Sequence, residues 1–412
     1  MPDNSENRAE ARRVLIVGAG PAGAATALLL ARGGVPVTLV ERELDFERVF
    51  RGEALMPTGL DALYQMGLRE KLDALPWRHL ESWEIYLDGR EIMHIAEPSM
   101  QLGDLALRVI PQPQLLHLLI AEAGKFPHFT FRAGVTVRDL LYDGERVRGA
   151  RVSTPEGESE IEANLTIGCD GRASLVRKRA DLALELLPES YDVLWFKLPA
   201  PQALAGRSPI QIFASGAEVA LCYISWDQRL QIAWMLQKRG WRELRERDWL
   251  AECARLFPDW LASHALSHRN EVDGPVPLEV IVGRCTNWST AGVLLLGDAA
   301  HPMSPVRAQG INMALRDAIA AANHLVPVLG HGGDLTRALR EIQREREPEI
   351  RKIQRLQLRE VQGQRWARER PWLTKPLLKI VPLLAKTGWL QRLWLRQQRP
   401  LRFGVREVRL SV

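Results

Sequence analysis

Val14-Leu15-Ile16-Val17-Gly18-Ala19-Gly20-Pro21-Ala22-Gly23, continued by the alanine- and leucine-rich run Ala24 to Arg32, reads as strand, glycine turn and helix. Gly33-Gly34 ends that helix, and Val37 to Val40 forms a second apolar strand closing on Glu41. The turn fits G-x-G-x-x-G in the context that gives the pattern meaning, after a strand and opening a helix. Gly18 permits the tight bend, Gly20 lets a pyrophosphate approach the backbone across Ala22, and Gly23 lets helix and strand pack closely. The free N–H groups and positive dipole end of the helix receive the phosphates. Glu41, 23 residues after Gly18, is placed to accept from both ribose hydroxyls of an adenosine, with Arg42 beside it. An acidic residue there disfavours a 2′-phosphate, so the nucleotide is FAD or NAD rather than NADP.

The choice between these comes from the far end of the chain. Val293-Leu294-Leu295-Leu296 is a second parallel-type strand, and Gly297-Asp298-Ala299-Ala300-His301-Pro302 follows it. A carboxylate at the carboxyl end of such a strand suits a polyol such as a ribityl chain. Gln309-Gly310-Ile311-Asn312 opens an alanine-rich helix to about Leu325, whose N-terminal partial charge suits the N1–C2=O edge of a flavin.

Between these landmarks the organisation changes. A helix is expected from about Gln114 to Ala123. Three β-rich stretches follow, Thr130–Val137, Arg148–Ser153 and Ile161–Gly168, separated by polar turns and expected to form an antiparallel meander. From Asp192 to Leu236 the alternation is again of strand type, and a helix is expected from about Glu243 to Phe257. This segment is a second domain inserted into the first. Beyond about residue 345 the sequence is helical and basic, broken by Pro348, Pro371, Pro376, Pro382 and Pro400.

Composition bounds the remaining readings. The 412 residues are 46% hydrophobic and 25% charged, ordinary for a globular chain. No apolar run approaches the length of a membrane span, and the polar first thirteen residues lack a secretory signal. Four cysteines without CxxC spacing suit a reducing, cytoplasmic setting. The net charge of +5 is uneven: from Glu341 onward there are 18 Lys+Arg against 7 Asp+Glu, so the preceding body is acidic. Nucleic-acid binding is therefore not expected. The tail, with Trp366, Trp372, Trp389 and Trp394, reads either as a helical cover or as a peripheral contact with an anionic membrane surface. His264 and His268 share a helix face without a third ligand nearby, so no metal site is expected.

Taken together, GAGPAG with Glu41, Cys169-Asp170-Gly171 after an apolar strand, and GDAAHPMSP…QGIN resemble the three fingerprints of single-component FAD-dependent monooxygenases. These have the p-hydroxybenzoate hydroxylase fold and include the ubiquinone-biosynthesis hydroxylases. The fingerprints fall in order across about residues 13–325. The resemblance implies an α/β chain: a three-layer, Rossmann-like FAD-binding domain of the glutathione reductase type, an inserted mixed α/β substrate domain and a C-terminal helical extension. It assigns 1–75, 101–180 and 285–345 to the FAD-binding domain, 76–100 and 181–284 to the substrate domain, and 346–412 to the tail.

The resemblance also implies roles. Gly18, Gly20, Gly23 and Glu41 contact the ADP half of FAD, Arg51 lies near the pyrophosphate and the mobile flavin, and Gln112 touches the cofactor. Asp170 belongs to a motif associated with FAD and pyridine nucleotide, Asp298 holds the ribityl chain, and Gly310, Ile311 and Asn312 line the pyrimidine edge of the ring. The implied reaction is hydroxylation or epoxidation of an aromatic or isoprenoid-type small molecule by O₂, through a flavin C4a-hydroperoxide, with NADH or NADPH as transient reductant. A dehydrogenase or reductase on the same fold, and a non-enzymatic flavin sensor or membrane adaptor, are the alternatives. His301 reads either as a base or as a structural histidine bonded to the backbone. Arg307 departs from the family, which has glycine there. It either turns to solvent or a carboxylate, or lies over the active site to fix an anionic substrate or the flavin carbonyl edge.

Overall fold

The computed structural model describes residues 13–46, 53–97, 105–216, 218–369 and 389–412. Its centre is a six-stranded sheet in which Ser289–Thr290 pairs antiparallel with Val293–Leu295. The other strands, Leu165–Gly168, Val14–Val17, Val37–Val40 and Phe129–Arg132, continue it in parallel. Val14, Leu15, Ile16, Leu165, Ile167, Val293, Leu294 and Leu295 are all essentially buried, as a sheet covered on both faces requires. Helix α1 (Pro21–Arg32) packs on one face against Gln112–Ala123 and against the helix Gln309–His331, here α2. A three-stranded antiparallel sheet, Thr136–Asp143, Arg146–Thr154 and Gly157–Glu162, lies on the other face, with Val147, Ala150 and Val152 in the common core. This makes the three layers.

The three β-rich stretches between residues 130 and 168 become five strands. Phe129–Arg132 and Leu165–Gly168 leave the meander and join the parallel sheet. Two short breaks cause this: Gly134 adopts φ +71°, and the Asn164 N–H donates to the Arg13 carbonyl at the start of the chain.

The second sheet has seven strands in the order Asp273–Leu278, Tyr191–Leu198, Leu230–Gln237, Glu218–Ile224, Pro209–Ser215, Ser82–Leu87 and Arg90–Ala96. It is antiparallel except where Pro209–Ser215 meets Ser82–Leu87. Alternation gives it two apolar faces. Leu194, Phe196, Phe213, Ile232 and Trp234 bury against Trp249–Ala254 and Asp259–Ser267. The helix expected over 243–257 is divided, because Asp248 caps a new start by accepting the Ala251 N–H at 3.1 Å.

Helix α3 (Leu335–Glu369) runs through Pro348, and α4 (Trp389–Phe403) contains Pro400, so neither proline breaks its helix. Around Pro348, Ile342, Ile350 and Ile353 are completely buried, and α3 packs on α2. This tertiary burial outweighs the one lost backbone bond. Pro371, Pro376 and Pro382, with Trp366 and Trp372, lie outside what the structure describes at side-chain level.

A buried ionic network joins α2 to α3. Asp317 Oδ1 accepts from Arg346 Nε at 2.8 Å, and Arg346 Nη1 donates to Glu349. Glu349 also accepts from Arg316 Nε at 3.1 Å and from the Val405 N–H at 2.7 Å. Asp317 Oδ2 takes His301 Nε2 at 2.7 Å and the Gly297 N–H at 3.2 Å. Burial alone would raise the Asp317 and Glu349 pKa values. The neighbouring cations and hydrogen bonds outweigh it and hold both below the usual carboxylate range.

Candidate functional site

The glycine turn is shaped for a ligand backbone. A Cβ on Gly18 (φ +97°) would lie 2.6 Å from the Cys169 carbonyl, and one on Gly23 would lie 1.9 Å from the Gly18 carbonyl. Around Gly20, by contrast, a Cβ would meet nothing within 4 Å, so a groove opens there. Gly20 is the N-cap of α1, no side chain caps that end, and Pro21 has no N–H to satisfy. The first-turn N–H groups are left for an external acceptor. Glu41 is buried at the rim, with Oε2 accepting the Ala19 N–H at 2.9 Å and Oε1 accepting the Glu43 N–H at 3.2 Å. Arg42 is exposed and pairs with Glu43 at 3.0 Å.

Gly297 closes this cleft from the other side. At φ +59° it packs so tightly that a Cβ would lie 3.0 Å from the Ala22 methyl and 3.6 Å from that of Ala314. Asp298 is thereby exposed next to the start of α2, its Oδ1 3.8 Å from where a Gly310 Cβ would stand. Two uncapped helix N-termini, an open glycine groove and a carboxylate thus converge, an arrangement that fits a dinucleotide carrying a ribityl chain.

Other expected residues serve this cleft less directly. Asp170 spends its oxygens on Ser174 Oγ (2.5 Å) and on the Leu175 and Val176 N–H groups (2.6 and 3.1 Å), capping the helix Leu175–Arg179. Burial raises its pKa against the effect of those bonds. Ile311 is buried in the first turn of α2. The Asn312 side chain is fully used: Oδ1 accepts the Met56 N–H at 2.9 Å, and Nδ2 donates to the carbonyls of Ala308 (2.6 Å) and Ala54 (3.3 Å). Only its backbone can face a ring edge. Gln112 opens its helix half-buried, while Arg51 lies outside the described residues.

His301 is 1% exposed, inside the ionic network and beside Trp288 (4.9 Å between ring centroids). Its partner is the Asp317 carboxylate rather than the backbone. His264 and His268, by contrast, turn to backbone carbonyls, of Pro199 (2.8 Å) and His264 (2.9 Å). Among the described residues no three potential ligands cluster for a metal.

On the second apolar face of the seven-stranded sheet, Trp83, Ile95, Ile210 and Tyr223 bury with Met56, Leu107 and Val109, and Trp394 packs against them. Strand register sets Ile95, Trp83, Ile210, Tyr223, Gln231 and Lys197 side by side in one row across this face. Gln231 is fully buried, and neither of its amide atoms has a partner among the described residues. At the end of the row Lys197 Nζ donates to Asp227 (2.7 Å), Ser225 (3.2 Å) and Glu53 (3.3 Å), and burial raises the Glu53 pKa despite Lys197. Sequence reasoning missed this cluster, whose members come from distant segments; the one local signal was Glu53, two residues after Arg51.

Arg307 closes the opposite end. It and Ala308 are both left-handed, with φ 62° and 50°, which costs a non-glycine residue about 1–2 kcal/mol each. Arg307 Nε and Nη2 grip Glu360 of α3 at 3.0 and 2.6 Å, and the guanidinium lies over Trp83 (4.4 Å) and over Trp394 of α4 (5.1 Å). The carboxylate pairing expected for it is present, and the guanidinium also stands at the Trp83 end of the row. Trp394 and Glu360 make the tail part of this wall.

Residues 11–356 match the family model described as a FAD binding domain. The 6-methylpretetramide 4-monooxygenase of Streptomyces rimosus is 34% identical over 354 residues, 84% of this chain and 82% of that protein. The 6-hydroxynicotinate 3-monooxygenase of Pseudomonas fluorescens is 28% identical over 376 residues, 83% of this chain and 90% of that one. Among solved structures, p-nitrophenol 4-monooxygenase from Pseudomonas putida superposes with a TM-score of 0.78 at 22% identity, covering 96% of this chain and 98% of the other.

Proposed function

As the chain belongs to the FAD-binding-domain family and is a FAD-dependent monooxygenase drawing on NAD(P)H and O₂, we propose that its substrate is an extended, fused-ring aromatic. FAD bound in the cleft supplies the activation of O₂. The balance is substrate C–H, O₂, NAD(P)H and a proton giving substrate C–OH, NAD(P)⁺ and water. The chain's residues bind and shield. Gly18, Gly20, Gly23 and Glu41 seat the ADP half, Asp298 the ribityl chain, and the α2 N-terminus the ring edge. The sheet face keeps water from the reacting carbon.

The observation that carries the fused-ring reading is the row from Trp83 to Gln231. Three strand spacings separate them, about 14 Å. That wall is apolar and aromatic until its polar end, longer than a single ring needs. The similarity to an enzyme named for 6-methylpretetramide supports it. Oxygen uptake and NADH or NADPH oxidation by the purified holoprotein, with ¹⁸O₂ and mass analysis of product, test it. Fused-ring phenols should stimulate both and gain one ¹⁸O, whereas single-ring phenols should not. Turnover of substrate without ¹⁸O would instead identify a dehydrogenase.

A second reading concerns place. Among the described residues no helix is long and apolar enough to cross a membrane. All four cysteines are unpaired and buried, in keeping with a reducing cytoplasm. Along α4, Gln398, Leu401 and Arg402 are buried, while Trp389, Leu393 and Phe403 are exposed among exposed Arg392, Arg396 and Arg399. An apolar stripe interleaved with cations suits peripheral contact with anionic lipid. Flotation with phosphatidylglycerol vesicles should carry the protein, and Trp389→Ser with Leu393→Ser should release it. Equal flotation of both proteins would reject this.

A further inference from the structure

We infer that Arg307 recognises the substrate, donating from Nη1 to a phenolic, enolic or quinone oxygen of the bound ring system. This rests on the fused-ring reading above. Guanidinium is planar, and its Nε/Nη2 edge is taken by Glu360. Nη1 therefore points away from that carboxylate. It is buried, in a side chain only 8% exposed, and has no partner among the described residues. A buried charged donor in that condition calls for an acceptor.

Its surroundings say which kind. The guanidinium lies over Trp83, the aromatic member of the wall row, and over Trp394, whose ring centroid is 5.4 Å from that of Trp83. Val306, beside it, packs against the buried cluster of Tyr191, Val193, Ala233, Val280 and Val282, as do Trp195 and Leu221 of the same sheet face. Arg307 thus stands where the flavin-domain loop meets the substrate wall. Glu360 already balances its charge, so the remaining edge favours a neutral or delocalised oxygen over a carboxylate. The left-handed backbone at 307 and 308 would suit glycine, and a long side chain kept there is a strained feature of the kind that accompanies function.

Arg307→Gly combined with Glu360→Gln removes the donor, keeps the pair neutral and relieves the backbone at 307. Flavin content and circular dichroism report its folding, and Arg307→Lys is the second variant if flavin is lost. Calorimetric titration of holoprotein with 1,8-dihydroxyanthraquinone, 2-methylanthracene and anthracene-2-carboxylate reads the recognition. Wild type should bind the dihydroxyquinone at least about tenfold more tightly than the other two. The double variant should lose that preference while still binding rings, and the lysine variant should keep only part of it. An unchanged preference in the variants overturns the role of Arg307 and leaves the fused-ring reading standing. A shift of the flavin absorption bands with the preference unchanged would assign Nη1 to the cofactor and overturn it equally. Binding of none of the three probes by wild type overturns both.

Discussion

Replacing Arg346 by Met tests the ionic network that stands behind the Gly297–Asp298 turn. Arg346 is completely buried and serves two buried carboxylates, Asp317 and Glu349. Methionine fills much of the volume and removes the charge. Glu349 keeps Arg316 and the Val405 N–H, so the main uncompensated charge falls on Asp317, which retains His301 and Gly297. Breaking a buried pair from one side costs about 3–5 kcal/mol, a large share of the roughly 5–15 kcal/mol that holds a domain folded. At roughly 2 °C per kcal/mol, the melting temperature should fall by about 6–10 °C at pH 7. Both carboxylates titrate below their usual range in the intact network, so its stabilisation is present at neutral pH and is lost only as pH falls through those lowered values. In the variant, burial prevails and Asp317 takes up a proton at higher pH, so the gap to wild type should narrow between pH 7 and pH 5. Scanning calorimetry at both pH values, with flavin absorbance per chain, measures this. A shift under about 2 °C at pH 7, or a gap independent of pH, would refute the reasoning.

Two further outcomes follow from local geometry. Gly23→Ala places a methyl 1.9 Å from the Gly18 carbonyl, so the turn must open and the purified protein should lose its flavin absorbance while the far-ultraviolet spectrum of the second sheet persists. Glu189 has both carboxylate oxygens buried without a partner among the described residues, and burial pushes its pKa up to about 7. The charged form therefore destabilises as pH rises toward and past that value, and Glu189→Gln should raise the melting temperature at pH 8 more than at pH 5; an equal change at both would contradict it.

The nucleotide half of the site was legible because its chemistry is local. Strand, glycines, helix and Glu41 lie within about thirty residues; Gly18 and Gly23 answer to close backbone contacts, and Gly20 to the open groove the motif implies. Asp298 stands where the sequence places it, exposed just after an apolar strand. The meander was misdivided because one of its boundaries, Asn164, is set by a bond to Arg13, which no window of sequence displays. The prolines at 348 and 400 misled for a similar reason, since burial decides whether a helix survives them. Arg307 stood out as a departure from glycine, but Glu360, Trp83 and Trp394 come from three other elements. The buried Lys197–Glu53–Asp227 cluster is likewise assembled only by the fold.

The strand order of the parallel sheet also governs how this protein comes into being. Val14–Val17 is flanked by Val37–Val40 at once, but its other neighbour, Leu165–Gly168, and then Val293–Leu295 emerge far later in synthesis. Of the residues that close on the glycine turn, Cys169 is made before most of the seven-stranded sheet, but Gly297 only after the whole of it. A nascent chain halted before Val293 would be colourless, and the acquisition of yellow colour would mark the moment when the two ends of the flavin domain have met across the insert.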